Sequence, residues 1–410
     1  MAVGSKRRKF SHHPSHSFDC ACGTDSCQNV CHQGYAQRCR KCLRSDSDEL
    51  TQHLCDASKP VISAFDMALR PPLPSEQPKQ VVILMRHGDR TPVRETFGDL
   101  DVTHMAASWQ SLLPREMEKS AMDSVVVQRE EGEGYNSYQQ FVGSGHLGQL
   151  TSLGHRQCRR SGEELRRRYP TASIRAFSTD FQRTIQSAAS VLVGFGADAP
   201  VVVRAPRRQV LLPNYDGRCG RYVTRRAALL AAANGGGAAK MRQGVEAMLA
   251  PMLGAEPLNA VLDFTPFCVH QDVVGEVPGL SWEVAKAVEH YKAFLEAAAY
   301  SDAELLRLAA GRLVKEVMDC LAEPGHRITL LAAHDNMMTA FLIALGIYKE
   351  QWPLYASSVL IETASMEMDT QVRVLMNDEV CIDWQPLGEL QDRLSGSIMS
   401  EEDYAAFCEA

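Results

Sequence analysis

The pattern of apolar and polar positions divides the chain before any motif is considered. Gln80-Val81-Val82-Ile83-Leu84-Met85 is β-branched and almost continuously apolar, which predicts a strand buried on both faces. Residues 99–145 lack clear periodicity and carry Glu130, Glu131 and Glu133 among glycines, so they read as an irregular excursion. A helix is expected over 151–168, capped by Thr151 or Ser152 and stopped at Tyr169-Pro170. Ala172–Ser178 reads as a strand, Phe181–Val193 as a helix and Val201–Val203 as a short strand. Residues 219–255 and 282–322 have helix-favouring composition, the first interrupted at Gly235-Gly236-Gly237. The β pattern returns at Ile328–Ala332, followed by a helix near Asn336–Leu345, with further strands at Val359–Thr363 and Val372–Met376. Strands alternating with helices predict an α/β fold: a three-layer core with a mixed, mainly parallel sheet, plus a smaller, mainly α-helical lobe. The expected division is a Cys/His-rich extension over 1–75, a core from 76–203 and 325–395, and a helical lobe over 204–324 inserted in that core.

Composition changes this picture at one end. Of 13 cysteines in 410 residues, seven lie in the first 55: Cys20, Cys22, Cys27, Cys31, Cys39, Cys42 and Cys55. Residues 1–60 have no hydrophobic periodicity and a charge of +3, although the whole chain carries -7. Cys39-x2-Cys42 has the spacing of a zinc knuckle, and Cys39 and Cys42 are the candidate metal ligands there. Disulfides or a plain tail are the other two readings of the segment. Lys6-Arg7-Arg8-Lys9 is followed by no apolar h-region, so the N-terminus does not read as a secretory signal and an intracellular location is favoured. The longest apolar runs fall far short of the ~20 residues of a membrane span, and no transmembrane segment is expected. The acidic balance argues against a nucleic-acid partner.

Three groups of reactive residues each follow an expected strand. They are Arg86-His87-Gly88-Asp89-Arg90-Thr91-Pro92, Ser178-Thr179-Asp180-Phe181-Gln182-Arg183-Thr184, and His334-Asp335. Ligands of open α/β sheets collect beyond the carboxyl ends of strands. If the three strands are neighbours, Arg86, Arg90, Arg183, His87, His334 and Asp335 share one crevice. Guanidiniums around a point suit a phosphate, which the planar fork grips through two oxygens. Nearby cations disfavour the imidazolium, so His87 is expected to be neutral and nucleophilic. Asp335 is the expected general acid. Asp89 reads as a loop hydrogen-bonder and His155 as a helix-surface residue.

These residues carry a family resemblance. Arg86-His87-Gly88-Asp89-Arg90-Thr91-Pro92 resembles the RHGxRxP signature of the histidine acid phosphatases, and His334-Asp335 resembles their HD signature. Gly148–Gln157, Phe267-Cys268-Val269-His270, Gly311–Val314 and Tyr355-Ala356-Ser357 resemble the lysosomal and prostatic type. The likeness runs from about Lys79 to Asn377. It implies an acid phosphatase that hydrolyses small-molecule phosphomonoesters without a cofactor, with His87 as nucleophile and Asp335 as proton donor. Arg86, Arg90, Arg183 and His334 would bind the phosphate, and a homodimer is possible in such a family. Secreted relatives often carry a cysteine after the Tyr-Ala-Ser segment. Ser358 stands there in this chain, so Cys268 is expected to lack that partner. A narrower phosphatase, for inositol phosphates or lysophosphatidic acid, and a non-catalytic phosphate-binding scaffold are the alternatives.

Overall fold

The computed structural model describes residues 80–132, 145–253, 264–325 and 327–409, apart from 95, 98, 99, 367 and 368. The Cys-rich extension, with Cys39 and Cys42, lies outside the described residues. In chain order the elements are β1 (Gln80–Arg86), α1 (Ala106–Ser111), α2 (Glu116–Asp123), β2 (Val127–Arg129), α3 (Ser152–Arg168), β3 (Ser173–Ser178), α4 (Gln182–Phe195) and β4 (Val201–Val203). There follow α5 (Gly220–Gly235), α6 (Ala239–Leu253), α7 (Trp282–Tyr300), α8 (Ala303–Ala322), β5 (Arg327–Ala333), α9 (Asp335–Ala344), β6 (Ser358–Met366), β7 (Asp369–Met376), β8 (Glu379–Pro386), α10 (Leu387–Leu394) and α11 (Glu401–Glu409).

These eight strands form one sheet in the order β8-β7-β6-β1-β5-β3-β4-β2, beside a separate two-stranded pair of Thr96–Phe97 with Leu100–Asp101. From β1 to β2 all neighbours run parallel, while β6, β7 and β8 add an antiparallel flank. The sheet is therefore mixed and mainly parallel, as the alternation of elements predicts. Side chains of β1 point alternately to two faces. Val82 and Leu84 join one core with Leu313, Val314 and Val317 of α8 and with Met338 and Phe341 of α9. Val81, Ile83 and Met85 join another with Cys158 and Leu165 of α3 and Val191 and Leu192 of α4. Helices thus cover both faces, which is why β1 tolerates no polar residue in its interior.

A third cluster is mainly helical and joins Val245 and Leu249 of α6 to Val284, Val288 and Tyr291 of α7. Val102, Met105 and Trp109, from the segment read as an irregular excursion, complete it. The described part of that segment is more regular than its sequence suggests: it contains α1, α2 and the edge strand β2. These elements are short, and their apolar positions match a distant partner rather than each other, so no local period shows. Within the range grouped as a helical lobe, α8 packs on the sheet itself. The chain beyond β7 holds β8, α10 and α11, none of which the pattern reveals.

A disulfide joins Cys219, just before α5, to Cys408 in α11, across a sequence separation of 189. Cys158, Cys268, Cys320 and Cys381 are free, so Cys268 is indeed without a disulfide partner among the described residues. His155 corrects an expectation. It is 3% exposed, with Nδ1 2.9 Å from Ser190 Oγ of α4, because α3 and α4 pack face to face where the histidine lies.

Candidate active site

Register places the three reactive groups together. Arg86 at the carboxyl end of β1 pairs with Ala333 of β5, and Ser178 at the end of β3 pairs with Ala332. The loops that follow three adjacent parallel strands therefore open at one edge, the position where open α/β sheets bind ligands. All six residues named from the sequence converge there. Arg86, His87, Arg90, Arg183 and His334 are buried, and the Asp335 side chain is 23% exposed.

The loop after β1 is held from behind. The Gly88 amide donates to Ser187 Oγ at 3.0 Å, and Ser187 donates to the Arg183 carbonyl at 2.6 Å. The Asp89 amide donates to Gln157 Oε1 at 2.9 Å. A Cβ on Gly88 would lie 2.6 Å from the Gly154 carbonyl oxygen, so only glycine lets this loop seat on the start of α3. Thr151 caps α3 through the Gly154 amide at 3.1 Å and donates to the Asp89 carboxylate at 2.5 Å. His270 Nε2 sits 2.6 Å from the same carboxylate, both side chains being fully buried. Asp89 is thus a loop anchor, tied to residues far along the chain that the motif alone does not reveal.

His87 Nδ1 lies 2.9 Å from the Gly88 carbonyl, which can only accept, so Nδ1 carries the proton and Nε2 keeps its lone pair. Burial, and after it Arg183, Arg86 and Arg90, hold its pKa well below the usual histidine value. Burial thus outranks the cations to which the sequence attributes the effect. Arg86 donates to Asp335 Oδ2 at 2.8 Å and to the Pro353 carbonyl at 2.5 Å, and stacks 4.1 Å over Tyr355. The Asn336 amide donates to Asp335 Oδ1 at 2.9 Å. Burial opposes the charge of Asp335. Arg86 and then Lys292 outweigh it and keep the carboxyl below its ordinary range. Lys292 itself lies 4.1 Å over the ring of Trp352, next to Pro353.

Arg183, in the first turn of α4, is the least satisfied member. Its Nε and Nη1 are buried without a hydrogen-bond partner among the described residues. Burial and the nearby Arg90 push the guanidinium down to about 9. Cations gathered beyond what their neighbours neutralise make a receptor for an anion.

Such a cluster, around a histidine at the carboxyl edge of a parallel sheet, has the charge and the place in the fold to hold an anion. The model of the histidine phosphatase superfamily (branch 2) matches residues 79–235, the stretch that holds Arg86, His87, Arg90 and Arg183. Among known proteins the chain resembles lysophosphatidic acid phosphatase type 6 of Bos taurus, at 24% identity over 385 residues, covering 80% of this chain and 86% of that one. Two solved structures share the fold. The phytase from D. castellii has a TM-score of 0.53 at 14% identity, covering 92% of this chain and 93% of that one. The Hafnia alvei phytase has a TM-score of 0.52 at 13% identity, covering 80% and 99%.

Proposed function

We propose that the protein hydrolyses phosphomonoesters through a phosphohistidine on His87. The carrying observation is the convergence of three buried arginines on a histidine whose Nε2 holds the lone pair. Arg86, Arg90, Arg183 and His334 hold the phosphoryl oxygens, and their charge stabilises the equatorial oxygens of the transition state. The Nε2–P bond forms as the ester P–O bond breaks, and Asp335 delivers a proton to the leaving oxygen. Water then attacks phosphorus, gives its proton to Asp335, and the P–N bond breaks. Each charge role falls to the chain's own residues, and no cofactor enters this scheme.

Asp335 is ionised in the unliganded protein, held by Arg86. The anionic phosphoryl group competes for that guanidinium and adds negative charge beside the carboxyl. Both effects raise its pKa towards the range a general acid needs. An acidic optimum follows. The test is hydrolysis of a chromogenic phosphomonoester across pH, with vanadate as competitor. Well-folded protein without turnover would leave the non-catalytic scaffold standing instead. The lysophosphatidic acid phosphatase relative favours a second, narrower reading in which an acylated glycerol phosphate is preferred. A substrate panel with lysophosphatidic acid and an inositol polyphosphate separates the narrow reading from the broad one.

A further inference from the structure

Hydroxyl protons can be counted behind His334. Its Nε2 lies 2.9 Å from Thr179 Oγ1, which lies 2.8 Å from Thr184 Oγ1. Thr184 Oγ1 in turn lies 2.8 Å from the Phe181 carbonyl and 3.1 Å from the Thr179 carbonyl. Carbonyls only accept, so the single Thr184 proton is spent on one of them. Thr184 Oγ1 must then accept from Thr179, and Thr179 Oγ1 must accept from His334 Nε2–H. The other side of the ring agrees. Arg183 Nη2, a donor only, lies 3.4 Å from His334 Nδ1, which must therefore offer a lone pair. A reversed chain would leave a carbonyl facing a bare hydroxyl oxygen and put two donors face to face.

Resting on the phosphatase reading above, we propose that Thr179 and Thr184 are positioning residues that fix His334 in its Nε2–H form, so that an anion entering the site binds together with one proton on Nδ1. A lone pair repels a phosphoryl oxygen, whereas an imidazolium donates to it. The groups facing the ring are His87, at 5.6 Å between centroids, Phe181, at 4.9 Å, Arg183, Arg86, Arg90 and Asp335. Burial and the arginines keep His334 neutral in the free protein, against Asp335, and the incoming anion reverses that balance. Thr179 also explains a part of the second motif to which the sequence assigns no role.

Nitrogen NMR of protein labelled with 15N-histidine reads this directly, using sulfate as a phosphate mimic that does not titrate near neutrality. At pH 7 the free protein is expected to show a pyridine-like Nδ1 for His334, identified by its loss in His334→Ala. Saturating sulfate is expected to convert both nitrogens to the protonated type. Thr179→Val is expected to raise KM for a chromogenic phosphomonoester about tenfold, with kcat altered less than about threefold. Thr179→Ser is expected to restore KM to within about twofold. An Nδ1–H form in the free protein, a neutral His334 under saturating sulfate, or a Thr179→Val enzyme with unchanged KM each overturns the proposal. Absence of both sulfate binding and turnover would instead bring down the phosphatase reading itself, while the free-state tautomer remains a separate test of the relay.

Discussion

Two buried clusters of charge lie towards opposite ends of β1, and they are built on opposite rules. At the carboxyl end stand Arg86, Arg90 and Arg183, with the carboxylate of Asp335 ion-paired to Arg86. Near the amino end, Glu362 of β6 sits opposite Val81 and is fully buried. It pairs with Arg168 at 2.9 Å and with Arg373 of β7, and accepts from Tyr169, while Asp378 lies 3.4 Å from Arg168. There the arginines are matched by carboxylates. A matched cluster can settle during folding, and what it fixes is the fit of α3 on the antiparallel flank. At the other end Arg183 keeps Nε and Nη1 buried without a hydrogen-bond partner among the described residues, a cost to the fold that an anion bound there would relieve.

Four substitutions or conditions would break or sharpen that contrast. His87→Ala is expected to lower kcat by at least about 10³-fold while the fold persists, measured by turnover and circular dichroism. Glu362→Gln is expected to destabilise the protein by about 3–5 kcal/mol in denaturant titration, because two buried guanidiniums lose their shared anion. Its KM should stay near the wild-type value. Arg183→Met should do the reverse, raising KM by about 10²-fold. In phosphate-free buffer it should also raise Tm by about 2–4 °C, since a buried excess charge is gone. A loss of stability in Arg183→Met, or an unchanged stability in Glu362→Gln, would erase the distinction between the clusters.

The smallest effect concerns pH. His87 and His334 have pKa values depressed below 6.5 in the folded state, so the unfolded chain binds more protons than the folded one as pH drops below 6.5. Their contribution favours the fold above that value and is lost as pH falls towards the depressed pKa values. Asp378 acts in the opposite sense. Burial, against Arg168, pushes it up to about 7, so between about 4 and 7 the folded state holds the extra proton and stability falls as pH rises. Thermal melts of Asp378→Asn and wild type at pH 5 and pH 8 should therefore differ more at pH 8, with the variant the more stable there.

The receptor end was legible in the sequence and the matched end was not. Arg86 to Pro92, Arg183 and His334-Asp335 each stand at the end of a strand whose pattern is local, so their meeting follows once the strands are neighbours. Glu362, Arg373 and Arg168 carry no such signal. Their partners lie on other elements, and a charged residue inside a strand pattern reads as solvent-facing until the register is known. The same holds for His155, whose burial depends on how α3 meets α4, and for the hydroxyl chain from Thr184 to His334, which spans two strand ends. Short elements such as β2 fail for a simpler reason: three residues are too few to show a period.

The link between Cys219 and Cys408 has a consequence for the life of the chain rather than for its chemistry. It clasps the last helix to the start of α5 and closes a loop of nearly half the chain. Closing so long a loop restricts the unfolded ensemble by about 5 kcal/mol in the chain-entropy account. Thiol–disulfide poise thus becomes a variable of stability: an oxidising surrounding keeps the clasp, and a reducing one leaves α11 held by packing and by the ion pairs of Glu401 with Arg218 and Arg312. The candidate site at the carboxyl end of β1 and this distant clasp would then answer to different surroundings, the one to anions and the other to redox poise.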